Sequence, residues 1–339
     1  MKRSLFTIVL AVCGCGPSAV WTPPPAKEIP VAPRRDELRA PVVATSTPAA
    51  LASAEPAPTP PEPISGDLPA DLDAKLVLHA VCNDRECLMP GLYPAGAAAD
   101  GGAPAAIWSH DLPDKRSSLT FPKHSGVDLF GLVLSGKVRV KPLEPGARTS
   151  ELARWGAFRV PGAGVAIAAE GGPARVVLAI AGDGAPIAET VAKLKDRKLA
   201  KQVMWRSRPS PVETRDLSAS PDLAWGKGAV HARLGFEAGR ASFGLLLASK
   251  DAPVAQHTHE AEWEILAALT ADGNAKRAAI AGATDMTETP VSDGTVVAMP
   301  KAVLHAWVPG GKKPLFAVQM YVPPGPEQRF KKLAADAAK

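Results

Sequence analysis

The stretch His257-Thr258-His259-Glu260-Ala261-Glu262-Trp263-Glu264 carries the densest group of metal-binding side chains in the 339-residue chain. Side chains alternate between the two faces of a β-strand, so His257 and His259 would point to the same side of one strand. Glu264 follows shortly after them, and His305 ends a later apolar segment. Three imidazoles and one carboxylate would complete a four-ligand metal site with nitrogen and oxygen donors.

Short apolar runs separated by glycine and proline continue on both sides of this stretch. Clear examples are residues 76–81, 129–134, 137–141, 174–180, 243–248, 263–269, 294–299 and 315–322. Runs of this length with frequent turns predict antiparallel strands in a sandwich or barrel. Residues 186–202 interrupt the pattern, because their apolar side chains recur near helical spacing, and a helix is therefore predicted to connect two β-rich units.

The second unit resembles a cupin. In the first motif of that family, His-x-His is followed by three or four residues and then Glu, and here four residues separate His259 from Glu264. The second motif is Gly-x5-Pro-x-Gly-x2-His, which matches residues 294–305 with Ala302 in place of the second Gly. The resemblance implies that one divalent metal ion is bound by the four side chains of these motifs, namely His257, His259, Glu264 and His305.

The first unit resembles a cupin only in outline. Residues 121–136 and 156–161 follow the rhythm of the two motifs. The positions that correspond to the four ligands hold Pro122, His124, Asp128 and Ala166. Two ligands seldom hold a divalent ion, so the resemblance implies a bicupin whose first domain is degenerate and serves packing and stability.

The predicted fold is all-β, with two cupin-type double-stranded β-helix (jelly-roll) barrels joined by a helix. A linker rich in proline and alanine precedes them and is expected to be disordered, because it cannot bury enough apolar surface to offset the entropy of ordering. The predicted boundaries are a leader at 1–16, the linker at 17–70, the degenerate cupin at 71–185, the connecting helix at 186–202, the metal-binding cupin at 203–325 and a C-terminal helix at 326–339.

The leader predicts export. It has a basic start and an apolar run that is too short to span a membrane. The run ends at Cys13-Gly14-Cys15-Gly16, which resembles the lipobox of bacterial lipoproteins, with Cys15 the candidate for lipidation and Cys13 the alternative. An ordinary secretory signal is the other interpretation. A periplasmic or cell-surface protein on a bacterial membrane is therefore expected, and in that oxidising setting Cys82 and Cys87 are predicted to form a disulfide.

Strand alternation also predicts the two faces of the strand that carries Glu264. Leu266 and Ala268 would share its inward face. The outward face would hold Trp263, Ile265, Ala267 and Leu269. Because this outward face is almost wholly apolar, we expect either the other barrel or a second subunit to cover it. In the second case the protein would be a homodimer that forms through the cupin sheets.

Three further side chains are predicted to line the pocket. Trp307 shares a face with His305 at the pocket mouth. Gln319 and Tyr321 are opposite in parity to their apolar neighbours, so they either line the pocket and support the metal ligands or face solvent at a strand end. For acid–base catalysis the sequence offers Glu262, which shares the parity of Glu264, and Tyr321.

The predicted site favours an anionic small molecule. A six-coordinate divalent ion would keep two open positions, and the ion with one carboxylate would carry a net charge of +1 (+2 − 1). The resemblance implies oxygenase or decarboxylase chemistry with manganese or iron, and isomerase or lyase chemistry with zinc or nickel, while intrinsic affinity favours copper, nickel or zinc. We therefore predict a metal-dependent enzyme of dioxygenase or decarboxylase type, with a non-catalytic binding or sensing lipoprotein as the alternative.

The charge pattern argues against nucleic acid as a partner. The formal net charge is only +5, and the basic residues are scattered or lie on predicted helices. No aromatic residues are interleaved among them to stack on bases. The predicted partners are thus a small molecule and, through the lipid anchor, a membrane.

Overall fold

The computed structural model describes residues 61–70, 72, 105–182 and 212–339. The four cysteines and the predicted connecting helix lie outside these ranges. Within them the chain forms seventeen strands and one helix. The strands are β1 (Ala105–Leu112), β2 (Ser118–Ser135), β3 (Lys137–Pro142), β4 (Ser150–Ala153), β5 (Gly156–Ala169), β6 (Ala174–Gly182), β7 (Glu213–Asp216), β8 (Leu223–Trp225), β9 (Val230–Phe236), β10 (Ser242–Ala248), β11 (Val254–His257), β12 (Trp263–Thr270), β13 (Asp272–Ala278), β14 (Met286–Ser292), β15 (Val296–Met299), β16 (His305–Pro309) and β17 (Leu315–Val322), and the helix is α1 (Glu327–Ala337). The prediction of an all-β fold is confirmed.

The first barrel is built from one long sheet. Its strand order is β1-β6-β2-β5-β3-β4, and β7 pairs with β5. The long strands β2 and β5 pair along most of their length, with a register shift between Lys123 and Asp128. Alternate residues of these strands fill the interior, where Phe121, Leu129 and Phe158 are fully buried. The interior of this barrel is therefore packed with apolar side chains.

The second barrel has two antiparallel sheets. The larger has the order β15-β12-β17-β10-β9-β8, and the smaller has the order β11-β16-β13-β14. Both contribute side chains to a buried cluster between them. The larger sheet supplies Leu246 and Ala268, and the smaller one supplies Ala275 and Trp307. These inward side chains line the cavity in which the predicted site lies.

The outward face of the larger sheet packs against the first barrel. Ile265 and Ala267 belong to one buried core with Phe130 of the first barrel. The Phe130 and Phe243 rings stack with their centroids 5.6 Å apart. Of the two expected partners for this apolar face, the first barrel is the one that covers it. The face therefore gives no reason to expect a second subunit there.

Residues 61–70 also pack against this core, although the sequence assigns them to the disordered linker. Ile64 and Leu68 contact the shared core, and the Ile64 N–H donates a hydrogen bond to the Gly228 carbonyl over 2.9 Å. The Arg233 guanidinium donates a hydrogen bond to the Gly66 carbonyl, also over 2.9 Å. This segment differs from the expectation because Ile64 and Leu68 are partly buried against that core, which removes apolar surface from water.

Helix α1 packs on the edge of the second barrel. The Phe330 ring stacks on Trp225 with their centroids 5.2 Å apart. Glu237 accepts hydrogen bonds from Gln328 and Lys331, over 2.9 and 2.5 Å, and so fixes the outer side of the helix. In the described part of the chain, no helix has both the length and the apolar character that crossing a membrane requires.

Candidate metal centre

The structure brings together the four side chains that the sequence predicts as metal ligands. One potential ligand atom from each of His257, His259, Glu264 and His305 lies within 4.8 Å of all the others. The His259 and His305 Nε2 atoms are each 3.1 Å from Glu264 Oε2, and His257 Nε2 is 3.9 Å from it. All but His257 are buried.

Ligands from both sheets of the second barrel converge on this point. His257 ends β11 and pairs with His305, the first residue of β16, so their side chains lie on the same inward face. Glu264 lies on β12 of the opposite sheet, where it pairs with Tyr321. The cluster therefore depends on the closure of the barrel, which brings two sheets face to face.

The turn before His305 is held in place by a backbone contact to the first motif. The Ala302 N–H donates a hydrogen bond to the His259 carbonyl over 2.6 Å. Ala302 has a φ of 59°, in the left-handed region that glycine adopts without a steric cost and that costs other residues about 1–2 kcal/mol. This backbone explains why the cupin motif has glycine there, and the alanine in this chain keeps the same turn.

The Nδ1 atoms of two histidines determine the orientation and the tautomer of their rings. His257 Nδ1 lies 2.9 Å from the Ala255 carbonyl oxygen, and His305 Nδ1 lies 2.8 Å from that of Val303. A carbonyl oxygen only accepts hydrogen bonds, so each Nδ1 carries the hydrogen and the Nε2 of a neutral ring directs its lone pair into the cluster. With His259 Nε2, which also lies in the cluster, three imidazole nitrogens and one carboxylate oxygen fit a divalent transition metal.

Buried charges shift the pKa values of the cluster in opposite directions. Burial alone would raise the pKa of Glu264, but hydrogen bonds from His259 and His305 outweigh it and lower this pKa far below its usual range. Burial would lower the pKa of His305, yet the hydrogen bond and charge of Glu264 raise it. Burial and the positive charge of His305 lower the pKa of His257. A proton on His305 and a metal cation thus compete for the same carboxylate.

This competition predicts a pH dependence of metal binding. Because the His305 pKa is raised, protons should compete with the metal at a higher pH than at an ordinary histidine, whose pKa is about 6.5. As the pH falls, the metal dissociation constant should rise by about tenfold per pH unit for each proton that binding must release. Calorimetric titration in buffers of different ionisation enthalpy should detect this release. Binding enthalpies that do not depend on the buffer at acidic pH would contradict the prediction.

Gln319 and Tyr321 line the cavity beside the cluster rather than facing solvent. Gln319 Nε2 donates hydrogen bonds to Glu264 Oε1 over 2.6 Å and to Tyr321 Oη over 2.8 Å. Both side chains are buried, and the Tyr321 ring packs edge-on against His259 with centroids 5.1 Å apart. Burial and the charge of Glu264 raise the pKa of Tyr321 well above its usual value. Gln319 therefore orients the carboxylate of the cluster.

Removing the amide of Gln319 should weaken metal binding. We expect Gln319→Leu to raise the metal dissociation constant about ten- to a hundredfold, because Glu264 loses the donor that orients it. Competition with a chromophoric chelator at fixed pH measures the effect. Gln328→Leu, the same change on the exposed side of α1, should leave the affinity unchanged. Equal affinities of wild type and Gln319→Leu would show that this hydrogen bond does not support the site.

Glu262, the other acid–base candidate, lies outside the cavity. It accepts a hydrogen bond from the Ala261 N–H over 3.3 Å, and its carboxylate lies beside Gly325. Strand β12 begins only at Trp263, so Glu262 belongs to the preceding loop. The strand alternation that assigned it the parity of Glu264 does not extend there.

The cavity next to the cluster has a volume of about 280 Å³ and is lined by the four candidate ligands together with Trp307, Gln319 and Tyr321. Most of its remaining wall is apolar. This wall includes Trp225, Val230, Leu246, Val254, Leu266, Ala268, Ala275, Val291, Val297, Met299, Leu315, Phe330 and Leu333. Helix α1 supplies the last two, a contribution that the sequence does not predict. The helical spacing of Phe330 and Leu333 was the only available signal for it.

The corresponding positions of the first barrel hold other interactions. Asp128 is buried and forms an ion pair with Arg159, with 2.9 Å between Oδ2 and Nη2. The same oxygen accepts a hydrogen bond from the Arg240 N–H over 3.0 Å. The His124 Nδ1 accepts one from the Gly126 N–H over 3.1 Å. In the part of the chain that the structure describes, the second-barrel cluster is the one group of three or more side chains with metal-binding geometry.

Comparison with known proteins gives a match at the level of structure. No protein-family model matches the chain, and no curated protein matches its sequence. Its structure is similar to those of oxalate decarboxylase from Bacillus subtilis, a bicupin. Two tryptophan variants of that enzyme are 12% and 13% identical, with a TM-score of 0.51 and coverage of 67% of this chain and 70% of that one. The fold is a cupin fold. The structure of the same enzyme at pH 4.6 gives 12% identity, a TM-score of 0.51 and coverage of 67% and 69%.

Proposed function

We propose that this protein is a metal-dependent cupin enzyme of decarboxylase or dioxygenase type that acts on a small anionic molecule. The observation that carries the proposal is the convergence of three histidines and one glutamate on a cavity large enough for a small molecule. A divalent ion bound there would act as a Lewis acid that polarises an oxygen of the ligand. Its charge, reduced to +1 by Glu264, would favour an anion.

Manganese or iron is the metal we propose, with zinc, nickel and copper as the alternatives that the same donors accept. Mn(II) centres are named for the oxalate decarboxylase of Bacillus subtilis, whose fold this chain shares. The chain's own side chains would hold the ion and keep Glu264 oriented through Gln319. Tyr321 lines the cavity and is the side chain we propose to hold a proton, at its Oη atom.

A second candidate function is non-catalytic capture or sensing of a ligand. It is favoured by the side chains that line the cavity, because Glu264 is the single carboxylate among those described there. Gln319 is hydrogen-bonded to both Glu264 and Tyr321, so two further polar groups are already engaged. A binding protein needs no free acid or base, whereas decarboxylation and isomerisation do.

One experiment separates the two functions. Purified protein is loaded with Mn, Fe, Ni or Zn and tested for oxygen consumption and turnover on small carboxylates, phenols and sugars, with chelator-treated protein as the control. Turnover that requires the metal supports the enzyme. If no compound is turned over while one of them raises the melting temperature of the metal-loaded protein, the enzyme proposal fails and the binding function stands.

We also propose that the protein is exported and anchored to a bacterial membrane by lipid on Cys15, or on Cys13 as the alternative. The proposal is supported by the basic start, the short apolar run and the cysteines that end it. Incorporation of labelled palmitate and recovery in the membrane fraction should be lost in Cys15→Ala. Loss only in Cys13→Ala would reassign the anchor, and soluble secretion of the wild type would exclude it.

The first barrel is proposed to be a degenerate cupin that stabilises the second. Two observations support this role. Its interior is filled by apolar side chains such as Phe121 and Phe158, and Asp128 is neutralised by Arg159. An ion-paired carboxylate is a poor metal ligand, because the metal would have to displace the guanidinium.

A further inference from the structure

We infer that the ligand of the cavity is a small amphipathic acid, with a hydrocarbon or aromatic body and a single anionic group at one end. This rests on the metal-dependent function proposed above and names its class of substrate. A small polar dianion would suit the cavity poorly. Four features of the cavity carry the inference, namely the chemistry of its wall, the placement of charge, its size and an unpaired hydrogen-bond donor.

The wall of the cavity is apolar on all of the elements that form it. The larger sheet contributes Leu246 and Leu315, the smaller sheet contributes Val291, and α1 contributes Phe330 and Leu333. Polar ligand atoms placed against such a wall would lose their hydration without gaining hydrogen bonds. An apolar body would instead gain from leaving water. The wall therefore selects for a hydrophobic portion of the ligand.

Inside the cavity, the candidate metal cluster is the one place that would carry charge. Among the described lining residues, the one fixed cation is Arg329, which lies exposed on α1. A ligand with two carboxylates needs a charged or hydrogen-bonding partner for each. The cluster with a divalent ion has a net charge of +1 and can neutralise one of them. The interior thus accommodates one anionic group, next to the cluster.

The size of the cavity limits the hydrophobic body. An apolar cavity of about 150 Å³ is enough to bind benzene. The present cavity of about 280 Å³ is larger than that, and the cluster occupies part of its wall. A body between one ring and two rings in size fits these limits, whereas acetate or oxalate would leave most of the apolar wall without a contact.

Trp307 supplies a donor that the anionic group could use. Its side chain lines the cavity and is only 6% exposed, and its indole Nε1 is buried with no acceptor among the described residues. Trp307 lies two residues after His305 on β16, so both side chains share the inward face. A buried N–H is costly to leave unpaired. One oxygen of a carboxylate near the cluster would provide its partner.

The test compares ligands that share one head group. Protein loaded with Mn(II) is titrated calorimetrically with acetate and with phenylacetate. Phenylacetate should bind about ten- to a hundredfold more tightly, because its ring is removed from water in the cavity. Equal affinities for the two acids would overturn the inference.

Three variants assign the preference to the cavity. Ala268→Phe fills part of the wall and should abolish the preference for phenylacetate while acetate binding remains. Should that variant not fold, Leu246→Gln makes the wall polar and should reduce the preference in the same way. Ile280→Phe, at a position 68% exposed, is the control and should keep it. A preference that survives both wall variants would show that the ring binds elsewhere, and the inference would fail.

Trp307→Phe tests the donor separately. A smaller aromatic ring remains, but the N–H is lost, so both acids should bind several-fold more weakly while phenylacetate stays the tighter ligand. Unchanged affinities would exclude Trp307 as the partner of the carboxylate.

Metal content, measured by elemental analysis on the same samples, separates this inference from the proposed function. Protein that holds the metal but shows no preference for phenylacetate contradicts only the class of ligand. Protein that holds no metal contradicts the proposed function itself.

Discussion

His257→Ala/His305→Ala should lose about one equivalent of metal per chain, because only two of the four candidate ligands would remain. The two rings lie side by side on paired strands, with centroids 4.2 Å apart and planes tilted by 58°. The remaining His259 and Glu264 would offer one nitrogen and one carboxylate, which hold a divalent ion weakly. Elemental analysis after dialysis against metal-free buffer, set beside wild type loaded in the same way, measures the loss.

The matched control removes two histidines from outside the cluster. His124→Ala/His231→Ala makes the same chemical change, and His231 is buried, as His305 is, and is hydrogen-bonded to Asp222 over 2.8 Å. This control should retain the metal of the wild type. Circular dichroism of both double variants shows whether they are folded. Metal retained by the cluster variant, or lost equally by the folded control, would exclude the cluster as the binding site.

The candidate ligands could be predicted from the sequence because their geometry is set by short-range rules. Strand alternation fixes the direction of Glu264 once β12 is recognised, and the spacing of the second motif fixes the turn that presents His305. The same alternation separates Leu266, which lines the cavity, from Ile265, which is buried against the first barrel. These predictions need no knowledge of distant parts of the chain.

Other features depend on contacts between distant parts of the chain, and sequence patterns do not encode them. Strand alternation does not predict where Glu262 points, because it lies in the loop just before β12, and its carboxylate lies beside Gly325, far away in sequence. Phe330 reaches the cavity only because Trp225, far away in sequence, provides a ring to stack on. Ile64 packs on a core that exists only once both barrels have folded. In each case tertiary packing decides the position.

The core shared by the two barrels should contribute a large part of the stability of the protein. Phe243 is 1% exposed and stacks on Phe130 across the interface. We expect Phe243→Ala to lower the free energy of unfolding by about 3–5 kcal/mol, because it removes this ring and leaves a cavity. Since a domain is typically stable by about 5–15 kcal/mol, this is a substantial fraction. Urea unfolding followed by circular dichroism measures the change.

A double-mutant cycle tests whether the two barrels are coupled through this contact. Phe130→Ala/Phe243→Ala should be less destabilised than the sum of the single variants, by about 0.5–1.5 kcal/mol, because the stacking can be lost only once. Ile280→Ala, at the exposed tip of the β13–β14 hairpin, should change stability by less than about 0.5 kcal/mol. Additive effects of the two phenylalanines would contradict the coupling.

The same core also bears on the candidate metal centre. Phe243 pairs with Met320 on β17, and the neighbouring residues Gln319 and Tyr321 project from the opposite face of that strand into the cavity. A strand that loses packing on one face holds the side chains on its other face less firmly. Phe243→Ala should therefore weaken metal binding as well as stability, although its side chain contacts no candidate ligand. Full metal affinity in the destabilised but folded variant would show that the cluster is positioned independently of the barrel interface.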